Sequence, residues 1–235
     1  MVNKANIAAP LWGVIAAFAA VYVIWGSTYL GIRYAVESIP PFLMAGSRNL
    51  AAGVLLYAFA RIRGAAAPLK IEWRDAAVAG GLMLLGGNGG VTWAEQTIPS
   101  SVTALLVALT PLWMVLFDWV RPGGMRPRAW VVAGLAVGFS GVVLLVRGHG
   151  HQSNSIYGWG VAVLMISSVC WSAGSIFNRH ARKPSSALLG VSMQMISGGS
   201  LMLIFALTRG EGSEFSVDRI TPLSAGCWLY LTVAG

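Results

Sequence analysis

Stretches of about 20 residues without Asp, Glu, Lys or Arg recur along this chain, each long enough to cross a hydrocarbon core roughly 30 Å thick at about 1.5 Å of helical rise per residue. Of the 235 residues, 56% are hydrophobic and 10% charged. A soluble domain carries roughly 25% charged residues, so a water-facing surface cannot be built here. The chain reads as an all-α, polytopic helical membrane protein with candidate spans at 11–32, 41–60, 76–96, 101–120, 129–147, 157–177 and 187–207, and an eighth opening near Leu223. The apolar run from Ile7 to Ile32 outlasts a signal-peptide core of about 7–15 residues and is read as the first span rather than a cleaved leader. Cys170 and Cys227 both fall inside predicted spans without metal-ligand spacing, which supports neither a disulfide framework nor a zinc site.

Basic residues divide unevenly between alternate connections. One set, with the N-terminus, holds Lys4, Arg61, Arg63, Lys70, Arg74, Arg121, Arg126, Arg128, Arg179, Arg182 and Lys183; the other holds Arg33, Arg147, Arg209 and Arg219, and Arg48 alone is inside a span. Since Lys and Arg accumulate in cytoplasmic loops, residues 1–10 are expected to be a cytoplasmic N-terminus. The net charge of +8 is scattered over short loops and forms no nucleic-acid motif, so no nucleic-acid partner is expected.

A shift of 146 residues aligns 25–60 with 171–206 without gaps: Trp25, Arg33, Ala35, Leu43, Gly53, Leu55, Phe59 and Ala60 meet identical residues at Trp171, Arg179, Ala181, Leu189, Gly199, Leu201, Phe205 and Ala206. Five spans separate equivalent positions, an odd number, so the second copy enters the membrane from the other side. Inverted-topology repeats of this kind are typical of secondary transporters.

Four stretches of the first copy, "WGSTYLGIRYAV", "PPFLMAGSRNLAAGVLL", "GGNGGVTWAEQTIPSSVTALLVALTPLWMVLF" and "GLAVGFSGVVLLV", resemble the EamA domain of the drug/metabolite transporter superfamily. The resemblance covers 11–147 and, more weakly, 157–235. It implies ten spans in two five-helix halves around a central substrate cavity, with 11–147 as the first half and 157–235 as a truncated second half. On the repeat arithmetic, about 58 further residues are expected beyond Gly235. Many members of the family close the fourth span with a Gly-Glu pair, where this chain has Asp118 and then "RPGG" at 121–124.

In "LLGGNGGVTWAEQTIP" at 84–99, Gly86 and Gly90 are four apart, the small-xxx-small spacing that lets helix backbones approach closely in lipid. Gly134 and Gly138 repeat the device in the fifth span. A phosphate-cradling loop would need glycine at position 92, which is Thr92, and a preceding strand. Asn88 serves no packing need and lies roughly 10–12 Å short of the outer end of its span, a depth that Arg48 matches from the second span at about 12 Å. Arginine at that depth costs at least about 2.5 kcal/mol unless it faces water, a partner or substrate, so Arg48 is either structural, bound to backbone carbonyls or snorkelling, or part of a cavity lining. Pro111 cannot donate to the carbonyl of Val107, which predicts a kink. Glu95, near the outer mouth, reads as a solvated rim carboxylate.

Trp25, Ser27, Thr28 and Tyr29 face repeat equivalents around Trp171, Ser172 and Ser175, clusters that either line a cavity or pack. The candidate substrate-binding set is Arg48, Asn88, Trp25, Thr28, Tyr29, Thr92, Thr110, Trp171, Ser175 and Gln194, the last being the repeat partner of Arg48. No G-x-S-x-G or H-E-x-x-H sequence occurs, and His149 and His151 lie in a Gly-rich outer loop where solvated histidine is expected. No catalytic residue, metal or cofactor is assigned. The resulting expectation is a multi-pass transporter of the inner membrane, exporting a small metabolite, amino acid or drug-like compound by alternating access, with a small-molecule substrate and the lipid bilayer as partners. The competing classes are an intramembrane enzyme, which needs a nucleophile with its base or paired acids at membrane depth, and a non-transporting membrane scaffold.

Overall fold

The computed structural model describes residues 11–121, 123–148 and 155–235. Residues 1–10 and the loop bearing His149 and His151 lie outside the described residues. Helices α1 (Leu11–Ala35) and α2 (Pro41–Ile62) are the first two spans. The third, at 76–96, belongs to a continuous rod of three parts that begins before it: α3 (Lys70–Gly80), a π-helical segment at Gly81–Gly89, and α4 (Gly90–Ala94). The fourth is broken into α5 (Ser100–Val107) and α6 (Thr110–Val120), followed by α7 (Ala129–Gly148), α8 (Ser155–His180) and α9 (Ala187–Thr208). A short α10 (Glu211–Glu214) and a 3₁₀ turn at Val217–Arg219 lead into α11 (Pro222–Val233). Five helical stretches, Leu11–Ala35, Pro41–Ile62, Ser100–Val120, Gly158–His180 and Ala187–Thr208, are long and apolar enough to cross a membrane. This is the architecture of a polytopic helical membrane protein.

Lipid tails are as apolar as leucine, so helices associate here through close van der Waals contact, which small residues permit. The most extensive example is α2 on α9. A methyl group on Gly46 would stand 2.9 Å from the Leu203 side chain, one on Gly199 would stand 2.7 Å from the Leu50 backbone nitrogen, and one on Gly53 would stand 2.8 Å from that of Ile196. As the α2 number rises through 46, 50 and 53, its α9 partner falls through 203, 199 and 196, so the two helices run antiparallel. The shift of 146 carries Gly53 to Gly199 and Leu50 to Ile196, so the two contacts exchange under it, as at a self-complementary interface.

The third span uses the same device against α8. A methyl on Gly86 would lie 2.9 Å from Cys170 Cβ, one on Gly90 would overlap the Ser167 hydroxyl, and Gly174 of α8 approaches Met83 in return. Gly134 and Gly138 behave differently. Among the described residues nothing lies within 4 Å of a methyl on either, and α7 is largely exposed, so the spacing is present but no described helix comes to meet it.

Two carboxylates outside the spans secure the connections. Asp75 accepts from the Arg182 backbone N–H at 3.0 Å and from the Arg74 guanidinium at 2.9 Å, tying the start of the third rod to the α8–α9 turn. These hydrogen bonds, that of Arg182 foremost, hold its carboxyl below the usual range. Glu211 accepts from the Leu43 N–H at 2.9 Å and so supplies a remote anion to the first turn of α2, where free amides and the helix dipole favour one. Burial pushes the Glu211 carboxyl upward against these amide bonds.

Candidate functional site

A cavity of about 950 Å³ opens within the bundle, with walls from α1, α2, the π segment and α4, the broken fourth span and α8, completed by Met195 of α9 and by Ala234 and Gly235. Two of those walls are irregular backbone. In the π segment, Leu84, Gly87 and Asn88 face the cavity. Glycine supplies no side chain to hold a regular α-turn and is a poor helix former, by roughly 1 kcal/mol relative to alanine, and the glycines at 86, 87, 89 and 90 make the widened turn inexpensive. In the fourth span Val107, Ala108, Thr110 and Pro111 line the cavity where the helix is interrupted. The carbonyl of Val107, which Pro111 cannot serve, accepts instead from the Thr110 hydroxyl at 2.6 Å. The Thr110 carbonyl in turn accepts from the buried Ser172 hydroxyl of α8 at 3.0 Å.

Arg48 is 4% exposed. One guanidinium nitrogen donates to the Asn88 side-chain oxygen at 3.0 Å and another to the Leu231 carbonyl at 3.3 Å, while its Nε has no partner among the described residues. The depth match read from the sequence is therefore a direct hydrogen bond, and the carbonyl partner expected of a structural arginine is present as well.

Seven of the candidate residues line this one cavity: Arg48, Asn88, Trp25, Thr28, Tyr29, Thr110 and Trp171. The indole N–H of Trp25 donates to the Tyr29 hydroxyl at 3.2 Å, while Thr28 turns its hydroxyl onto the Ile24 carbonyl at 2.8 Å. Thr92, Ser175 and Gln194 are outside the lining. Thr92 is fully buried and donates to the Asn88 carbonyl at 2.9 Å, one step behind the wall. Ser175 is half-buried on α8, and Gln194 donates to the Asn178 side-chain oxygen at 2.8 Å.

The lining also contains Asn49, Met114, Ser167, Ser168 and Met195, which sequence reasoning passed over. Ser167 had a legible signal, since it precedes Trp171 by four residues and so shares its helix face. Glu95 is a correction. It is 0% exposed, not solvated at a rim. The chain reverses at Pro99, and α5 folds back over the carboxylate, so that Ser100 donates to one oxygen at 3.0 Å and the other has no partner among the described residues. The Arg33 guanidinium donates to the Glu95 backbone carbonyl and not to its carboxylate.

Residues 11–147 match the EamA-like transporter family. The chain is 39% identical over 203 residues to the Escherichia coli K12 protein named "Uncharacterized inner membrane transporter YedA", covering 86% of this chain and 63% of that one. The chain thus spans less than two thirds of that relative's length. It is 24% identical to the protein of the same organism named "Probable amino-acid metabolite efflux pump", over 87% of this chain and 69% of that one. A solved crystal structure aligns with 94% of this chain and 73% of its own, at a TM-score of 0.63 and 22% identity, a likeness of fold.

Proposed function

The chain belongs to the EamA-like transporter family, and from that premise we propose that it is a secondary transporter of the inner membrane, exporting a small metabolite, amino acid or drug-like compound by alternating access around the cavity. One observation carries the reading. The π segment of the third span and the break in the fourth are the irregular stretches of the described spans, and both face the same cavity. Non-helical backbone at membrane depth is tolerated where it lines a cavity or is buried in protein, and transporters build substrate sites from such discontinuous helices. The widened turns of the π segment and the break at Pro111, where the Val107 carbonyl has lost its backbone donor, are the natural hinges for opening the cavity to either side. The names of the relatives, a transporter and an amino-acid metabolite efflux pump, support the same class over an enzyme or a scaffold. In this proposal 11–147 form one five-helix repeat and 157–235 part of a second.

The test is efflux from energised vesicles holding the full-length protein, against a panel of amino acids, organic acids and amphipathic cations, with and without a proton uncoupler. Protein-dependent efflux of at least one compound is expected, and none from a protein shown to be folded would overturn the reading. Orientation is tested by cysteines introduced at Ser213 and Ser185. With the N-terminus cytoplasmic, an impermeant thiol reagent added outside labels the first and spares the second.

A further inference from the structure

We infer that the cavity selects an amphipathic monoanion, its carboxylate held by Arg48 and its apolar body resting against Trp25, Tyr29 and Trp171. The inference rests on the transporter reading and narrows the substrate that reading leaves open. Arg48 is the one charged side chain in the described lining. The ion pairs among the described residues, Arg74 with Asp75 and Arg121 with Asp118, do not involve it. Glu95, the buried acid of the third rod's outer end, is outside the lining and engaged by Ser100.

A guanidinium has five N–H donors in a planar fork. Among the described residues those of Arg48 reach one amide oxygen and one backbone carbonyl, both neutral, and its buried Nε reaches none of them. A buried charge in this state lacks its strongest available partner, because a carboxylate accepts two parallel, charge-assisted bonds from such a fork. Asn88 orients the guanidinium without discharging it. The rest of the lining is mostly apolar and aromatic, so a ligand that satisfies Arg48 must also bring a hydrocarbon or aromatic portion. No acidic side chain of the described lining is available to receive an ammonium group, so a cation is repelled by Arg48 and a zwitterion's positive end meets only neutral oxygens and aromatic faces beside that repulsion.

The experiment uses purified full-length protein in detergent and four probes that share a hydrophobic body: indole-3-acetate, its neutral amide indole-3-acetamide, zwitterionic tryptophan and cationic tryptamine. Equilibrium binding is measured for each on the wild type, on Arg48→Gln and on Asn88→Asp, with folding of each variant checked by size exclusion. The wild type is expected to bind the acetate at least about tenfold more tightly than the other three, the scale of one charge-assisted hydrogen bond lost. Arg48→Gln should erase that preference. Asn88→Asp keeps the arginine but sets a carboxylate against it, and should erase the preference too, which distinguishes discharge of Arg48 from damage to the fold. Equal binding of acetate and amide, tighter binding of tryptamine or tryptophan, no binding of the acetate, or a preference that survives in both variants would each overturn the inference. Vesicle efflux separates the two readings: a protein that exports cations or zwitterions refutes the selectivity and keeps the transporter, whereas one that binds the acetate tightly and moves nothing refutes the transporter.

Discussion

Helices α2 and α9 are nearly interchangeable where they touch and unlike where they do not. Gly53 meets the backbone of Ile196, and its repeat partner Gly199 meets the backbone of Leu50, so one small-residue contact is made twice. At the equivalent polar positions the copies part. Arg48 turns into the cavity and holds Asn88, while Gln194 turns away from it and holds Asn178. The reciprocal glycine contacts secure the bundle, and the unlike polar side chains at 48 and 194 make the cavity one-sided in charge. Packing tolerates little variation because an added methyl at a helix contact meets backbone, which cannot step aside. A polar side chain exchanged at a cavity wall meets open space.

The largest effect expected from attacking this comparison comes from its shared part. Gly53→Val and Gly199→Val each force atoms into backbone at less than 3.0 Å, and overpacking of this kind costs about 1–3 kcal/mol or more. Both should sharply reduce the yield of monodisperse protein, and to a similar degree. Tolerance of one and not the other would show that the reciprocal contact is not shared equally.

Next in size is the exchange of the unlike residues. Arg48→Gln installs the second copy's side chain in the first, and should leave the protein folded while efflux per folded molecule falls by about tenfold, the scale of a lost charge-assisted bond. Gln194→Leu should cost about 1 kcal/mol of stability through the lost bond to Asn178 and leave efflux per molecule unchanged. Vesicle flux normalised to folded protein measures both, and an equal loss from the two would mean that the copies contribute alike to the site.

Smaller effects are expected at the two carboxylates that tie the copies together, and they should have opposite pH signs. The folded-state pKa of Asp75 is depressed by its hydrogen bonds from Arg182 and Arg74, so its contribution is present above the unfolded value near 3.9 and is lost as pH falls through the folded one. Thermal unfolding should show Asp75→Asn below the wild type at pH 7 and converging with it in acid.

The smallest effect is that of Glu211. Its folded-state pKa is raised by burial, so its contribution is fully present below the unfolded value near 4.3 and fades as pH rises through the folded one. Glu211→Gln, neutral at every pH and still able to accept from Leu43, should therefore match or slightly exceed the wild type in Tm at pH 7. A clear fall would show that the anion at the N-terminus of α2 outweighs the cost of burying it.

Much of this arrangement is legible in the order of residues alone. Span length and the scarcity of charge determine a helical membrane protein, because the bilayer imposes both requirements on any chain. The register of 146 is legible because packed glycines recur where helices touch, and the common depth of Arg48 and Asn88 follows from helical rise. Other features belong to the tertiary structure. A run of glycines permits α and π turns alike, and the contacts of Gly86, Gly87 and Gly90 with α8 are made in the assembled fold. The spacing at Gly134 and Gly138 matches that at Gly86 and Gly90, but whether such a face is filled depends on a neighbour that spacing does not specify. Burial of Glu95 depends on the way α5 returns over it after Pro99, and the choice of Asn178 by Gln194 depends on where α8 lies against α9. Periodicity and composition act along one helix, whereas solvent access and hydrogen-bond partners are properties of the space between helices, which exists only once they have packed.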